Sequence, residues 1–280
     1  MKYIFVVGAP RSGGTLIYNI LCNDPESNPP IPENHLINDL GSIYFNNSER
    51  FEIEKNYFFN NKEDLRKLCR SWAISFLTKI QKKHKIKKKI ILKSFPMSPN
   101  FNVIHELIPE SHFIFTMRDP RDVIASMIKV GEKQSKTIGS NKFPRDIKYL
   151  CERINQYHRI LFSKDFENKK NLLQKSTTII KYEDIVNKTR QSIIDINKNL
   201  TTKIKLNDID QLWKRSDYIY KNNKKFGFFS DHWGKPITQK TIGSYKDILS
   251  LKEINLININ CKQILNSFEY NYINYTFILN

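Results

Sequence analysis

KYIFVVGAPRSGGTLIYNIL, residues 2–21, falls into three pieces with different physical habits. Tyr3–Val7 is a short run of β-branched and aromatic residues, too short for a buried helix and suited to a buried strand. GAPRSGGT, residues 8–15, is a glycine-rich loop, and Thr15–Cys22 has apolar helical spacing. A strand that runs through such a loop into a helix builds an anion site. Gly8, Gly13 and Gly14 allow backbone N–H groups to approach the anion closely, and the helix start adds the positive end of its dipole. A phosphate-like group is expected there.

Outward from that unit the same alternation continues. Ile90–Leu92, His112–Met117 and Thr177–Ile180 read as further buried strands. Helical spacing marks Lys62–Lys82, Asn102–Leu107, Asp122–Val130, Pro144–Phe162 and Asp184–Leu200. Strands that alternate with helices predict an α/β fold, a three-layer sandwich with a central parallel sheet covered on both faces. No repeat and no Gly/Ser or Pro-rich tether interrupts the chain, so a single domain over residues 1–280 is expected. From about residue 203 onward it caps the sheet, with Trp213, Tyr218, Tyr220, Phe226, Phe228, Phe229 and Trp233 in loops and short helices.

Composition narrows the function classes. The 280 residues carry 46 Lys+Arg against 28 Asp+Glu, a net charge of +18, and 40% of them are hydrophobic, enough for a large core and too much for a disordered chain. A basic surface favours anionic partners. The run Lys82–Lys89 precedes a strand and reads as a solvated helix end, so no nucleic-acid partner is expected. Cys22, Cys69, Cys151 and Cys261 stand apart, with no CxxC pair and no histidine at ligand spacing. Buried, reduced thiols and no metal are the expectation. No apolar run is long enough for a transmembrane segment, and the N-terminus reaches charge and proline too early for a signal peptide, so a cytoplasmic location is expected.

Set against the triphosphate-binding pattern GxxxxGK[ST], the P-loop-like segment keeps Gly8, Gly13 and Thr15 but has Gly14 where the lysine belongs. That disfavours a kinase or ATPase. Arg11 supplies a cation from another place, and its planar guanidinium can hold two oxygens of a tetrahedral anion. Further along stand LKSFP (residues 92–96), FIFTMRDPRDVIASM (113–127), IIKYEDIV (179–186) and TIGSYKDIL (241–249).

In this order and context the segments resemble the sulfotransferases that use 3′-phosphoadenosine 5′-phosphosulfate (PAPS), whose loop reads approximately PRSGTT or PKSGTT. Here it is PRSGGT, which removes one hydroxyl and keeps a backbone donor. The resemblance implies a PAPS-binding site made of Arg11, Ser12, Gly13, Gly14, Thr15 and Leu16. It also implies that Lys93 reaches the oxygen bridging phosphate and sulfur, that Arg118 and Ser126 bind the 3′-phosphate, and that Tyr182 lies against the adenine. Lys240 and Ser244 belong to the segment that closes over the donor. Asp119 caps the helix after Arg118; it or Asp122 holds an arginine in place, and Arg121 reads as a surface charge.

For the base, the cytosolic small-molecule branch has a histidine two residues after the strand-end lysine, where this chain has Phe95. The carbohydrate and tyrosylprotein branches use a Glu after the first helix. Here that loop is DPESNPPIPENHLINDL, residues 24–40, with Glu33 the first choice, His35 as substitute or assistant, and Glu26 as a structural turn residue. The implied activity is sulfuryl transfer to a hydroxyl acceptor, an acidic sugar or polysaccharide in the first instance, with catalytic Glu33, Lys93, Arg11 and His35. A small-molecule kinase and a non-enzymatic polyanion binder are the rival readings. The first predicts magnesium-dependent ATP use, the second steep salt dependence and indifference to adenosine bisphosphate.

Overall fold

A computed structural model describes residues 1–54, 57–163, 166, 175–211 and 235–270. Its sheet has four strands, β1 (Lys2–Gly8), β2 (Lys89–Lys93), β3 (Ser111–Met117) and β4 (Thr177–Lys181), in the order β2-β1-β3-β4. All three pairings are parallel. Each expected strand is present, one or two residues longer at its ends. Because alternate residues point to opposite faces, β1 feeds two cores at once. Tyr3, Phe5 and Val7 join Phe113, Phe115 and Phe101 on one side, while Ile4 and Val6 join Ile91 and Ile114 on the other.

Helices cover both faces. On the second side lie α1 (Gly14–Leu21), which contributes Ile17, Ile20 and Leu21, and α9 (Thr189–Leu200), which follows α8 (Tyr182–Asn187). The first side is covered by α2 (Leu36–Glu49), α4 (Lys62–His84), α5 (Phe101–Leu107), α6 (Pro120–Ile138) and α7 (Ile147–His158), with the short α3 (Phe51–Glu54) between α2 and α4. Local chemistry sets the ends. The Asn61 side chain caps α4, Glu63 and Asp64 occupy its first turn, and Lys82, Lys83 and His84 its last, the arrangement the helix dipole favours. Asp119 caps α6 with Pro120 in the first turn, and Gly139 at φ +65° ends it. The expected helix from Pro144 begins only at Ile147, where Asp146 accepts from the Tyr149 amide.

The chain closes with α10 (Leu251–Asn260), which has a Ser250/Glu253 capping box and packs on α7 and α6, and with α11 (Lys262–Ser267). The aromatic stretch from Trp213 to Trp233 lies outside the described residues. All four cysteines are buried thiols. Among the described residues no helix is long and apolar enough to cross a membrane.

The basic run before β2 divides. Lys82 and Lys83 end a helix in solvent as expected, whereas Lys89 is buried and paired with Asp24 at 2.8 Å and Glu26 at 3.3 Å. Glu26 also binds Lys88 and Lys203, and these hydrogen bonds, Lys88 foremost, lower its pKa to about 2. It is the structural turn residue expected.

Candidate functional site

In an open parallel sheet the ligand crevice lies beyond the carboxyl ends of the strands, where connections leave in opposite directions. Here that point is the end of β1, between β2 and β3. The loop starting there is tied down on both sides. Gly8 has φ +127°, and a Cβ on it would lie 2.6 Å from the Thr116 carbonyl, so only glycine lets β1 run this close to β3 while turning. The Gly8 amide donates to Ser98 Oγ at 2.6 Å, and the buried Ser12 hydroxyl meets Ala9 O at 2.6 Å and Thr116 Oγ1 at 2.5 Å. Gly13, at φ +94°, lies under the Tyr182 ring, which a Cβ would strike. The first helical amides lack intrahelical acceptors. Ile17 N–H reaches Gly13 O at 3.2 Å, and those of Gly14, Thr15 and Leu16 have no backbone acceptor among the described residues.

Lys93, at the end of β2, donates to Thr15 Oγ1 at 3.0 Å and stands 3.6 Å from the Glu33 carboxylate. Its side chain is only 12% exposed. Burial lowers its pKa, the Glu33 charge opposes that shift, and Arg11 adds to it. The other Glu33 oxygen accepts from the Phe95 amide at 3.0 Å, so the carboxylate is held by one charge and one backbone donor. His35 is exposed at the start of α2 and makes no hydrogen bond to Glu33, Lys93 or Arg11 among the described residues.

The two departures from the family's motifs meet in this cluster. The Phe95 ring covers Gly14, where an added Cβ would stand 2.7 Å from Phe95 Cε1, and the Lys93 ammonium lies 5.0 Å from the centre of the same ring. Gly14→Thr, which restores the missing hydroxyl, is therefore expected to cost about 1–3 kcal/mol through overpacking. In a Phe95→Ala background most of that penalty disappears. A double-mutant cycle by urea denaturation measures the coupling, and an equal penalty in both backgrounds refutes it.

Arg118 leaves β3 almost wholly buried, at 8% exposure. One Nη donates to Arg11 O at 3.3 Å and the other to Thr241 O at 2.6 Å, while the guanidinium lies 4.6 Å from the centre of the Tyr182 ring. Its Nε is buried with no hydrogen-bond partner among the described residues. An unpaired donor on a buried cation is costly, and an anion would satisfy it. Ser126, on the second turn of α6, accepts from Arg11 Nε at 3.2 Å. Arg11 itself has φ +72°, which turns its carbonyl toward Arg118. Arg11, Arg118, Ser126 and Tyr182 thus form one connected wall, joined through Thr15 and the loop to Lys93 and Glu33.

One reading needs correction. Arg121 is no surface charge: it is 3% exposed, paired with Asp119 at 2.6 Å and placed over the Tyr245 ring. Of the two aspartates, Asp119 holds an arginine, whereas Asp122 accepts from Gly243 N, Tyr245 N and Ser244 Oγ. The Lys240 side chain is exposed, with only its backbone amide fixed by Thr238. Its neighbour Thr241, unremarked in the sequence, makes the contacts. The Thr241 carbonyl takes the Arg118 bond, and its hydroxyl meets Tyr182 Oη at 2.7 Å. Nothing but proximity to the Gly-Tyr segment marked that threonine.

Loop amides without backbone acceptors among the described residues, a lysine and a carboxylate thus stand at one end of the wall, and a buried arginine whose Nε has no partner among the described residues stands at the other. The profile of the sulfotransferase family matches residues 3–203. No curated protein matches in sequence. Among solved structures, the chain is similar to the sulfotransferase domain from the Synechococcus PCC 7002 olefin synthase, with 16% identity over 98% of this chain and 96% of that one at a TM-score of 0.62. It is similar also to the sulfotransferase domain from the curacin biosynthetic pathway, with 15% identity over 97% and 99% at 0.62. Mouse sulfotransferase SULT7A1, complexed with PAP, shares 13% identity over 96% and 85% at 0.53. At such identities these likenesses speak for the fold.

Proposed function

This chain belongs to the sulfotransferase family, and from that membership we propose that it moves the sulfuryl group of PAPS onto a hydroxyl of a carbohydrate or glycan, with Glu33 as the general base. The observation that carries the reading is the convergence on one crevice of a carboxylate 3.6 Å from a desolvated lysine and of a buried arginine whose Nε lacks a partner among the described residues. The first pair suits proton removal beside a leaving phosphate. The second suits a nucleotide with an extra phosphate, as does the PAP complex of the mouse enzyme.

Each residue then has a task. Glu33 takes the proton of the acceptor hydroxyl as its oxygen attacks sulfur in line. The oxygen–sulfur bond forms, the bond from sulfur to the bridging oxygen breaks, and adenosine 3′,5′-bisphosphate (PAP) departs. Lys93, Thr15 and the amides of Gly14 and Leu16 hold the charge that grows on the 5′-phosphate. Arg118 and Ser126 bind the 3′-phosphate, Arg11 links the two ends, and Tyr182 offers its ring to the adenine. The net charge of +18 supports an acidic sugar as acceptor, and Phe95 in place of histidine supports the carbohydrate branch.

Thermal-shift titration with PAP, AMP and ATP tests the reading. PAP is expected to raise Tm most. A preference for ATP with magnesium would instead favour the kinase, which the missing loop lysine already opposes.

A further inference from the structure

Asp122 is 1% exposed, yet it neither touches the crevice nor holds an arginine side chain by a hydrogen bond among the described residues. Its carboxylate serves a turn far along the sequence. It accepts from the amides of Gly243 at 2.8 Å and Tyr245 at 3.0 Å, and from Ser244 Oγ at 3.3 Å. Gly243, at φ +73°, gives the turn the curvature that aims neighbouring amides at one acceptor. Burial raises the Asp122 pKa, while Arg118 and the Gly243 and Tyr245 amides oppose the rise.

The turn in its turn carries Thr241. Ser244 Oγ shares its single proton between Asp122 Oδ1 at 3.3 Å and Thr241 O at 3.2 Å, and that carbonyl also receives Arg118 Nη2 at 2.6 Å. The Thr241 hydroxyl meets Tyr182 Oη at 2.7 Å. A chain of hydrogen bonds therefore runs from Asp122 through residues 243–245 to Thr241, and from there to the arginine and the tyrosine. Two of the five Arg118 donor directions are fixed by carbonyls, and the rest take their aim from those two.

We propose that Asp122 is a positioning residue for donor selectivity: through the 243–245 turn it keeps Thr241 against Arg118 and Tyr182, and so lets the chain tell a nucleotide with a 3′-phosphate from one without. The inference rests on the donor reading given above. Asp122 acts through Thr241: its hydrogen bonds among the described residues go to the 243–245 turn. Asparagine in its place turns an NH2 group against one of the two backbone N–H donors, whichever way its amide is set, so that donor loses its acceptor and the turn loosens although the side-chain volume is kept.

The test compares PAP and AMP affinities by titration calorimetry for the unaltered chain, Asp122→Asn and Ser244→Ala, together with donor KM and kcat. Asp122→Asn is expected to weaken PAP roughly tenfold or more and AMP by less than threefold, with donor KM raised and kcat within a few-fold. Ser244→Ala, at a half-buried position that tolerates truncation, is expected to shift the PAP:AMP ratio the same way by about threefold. An equal loss for both nucleotides, or an unchanged ratio in the two variants, overturns the proposal. If Asp122→Asn does not fold, Ser244→Ala alone decides it. No preference for PAP in the unaltered chain is a different failure, that of the donor reading itself.

Discussion

Glu33→Gln is expected to lower turnover roughly 10²–10⁴-fold while PAP binds nearly as it does to the unaltered chain. The expectation follows from what each Glu33 oxygen does. One accepts from the Phe95 amide at 3.0 Å, and glutamine keeps an oxygen for that bond, so the loop stays in place. The other stands 3.6 Å from Lys93, and there the substitution removes the charge and the basicity together. Donor contacts are assigned to Arg118, Ser126, the glycine loop and Lys93; of these Lys93 stands beside Glu33, and the substitution leaves its ammonium in place. Initial rates with a sulfatable glycan, alongside PAP calorimetry, separate the two effects. Full turnover in the variant removes Glu33 as the base, and exposed His35 becomes the alternative.

Lys93→Met is expected to lower kcat roughly 10²–10³-fold. Methionine keeps most of the side-chain volume in a site where the lysine is 12% exposed, and its apolar tip can remain near the Phe95 ring. What is lost is an ammonium whose charge is kept out of water beside the expected leaving group, where it acts most strongly. Lys93→Arg is not expected to rescue the rate. A guanidinium fork is broader than an ammonium and would have to displace either the Thr15 hydroxyl or the Glu33 carboxylate. Single-turnover rates at saturating donor measure the effect, and a change smaller than about fivefold would leave Lys93 without a role in the transfer step.

The strands and the glycine loop were legible because their signals are local: β-branched runs of the right length, and glycines where close approach demands them. Strand order was not, since two connections leave β1 and β3 on opposite sides by tertiary packing alone. Residues 36–40 of α2 fall within the stretch read as the base-bearing loop, and the rest of the helix was assigned to no element; LINDLGSIYFNNSE is rich in Asn, Ser and Gly, which are poor helix formers, and packing of Ile37, Leu40 and Tyr44 against the core outweighs that propensity. In the site, Arg11, Lys93, Arg118 and Tyr182 were readable from motifs. Thr241 and the task of Asp122 were not, because a hydrogen bond spanning from residue 122 to residue 245 has no trace in local spacing. Arg121 was misjudged for the same reason, its burial depending on Tyr245.

The wall around Arg118 takes one of its faces from Thr241, well after the last sheet strand has been made. During synthesis on the ribosome, the four strands can pair while that face is still inside the exit tunnel or not yet translated. A nascent chain of this kind would own a formed sheet and an incomplete wall around Arg118, so the proposed donor grip is complete only once Thr241 has left the tunnel. Products that end before Thr241 would lack that face together with Tyr245, Leu249, Ile254 and Ile257, which belong to the same core.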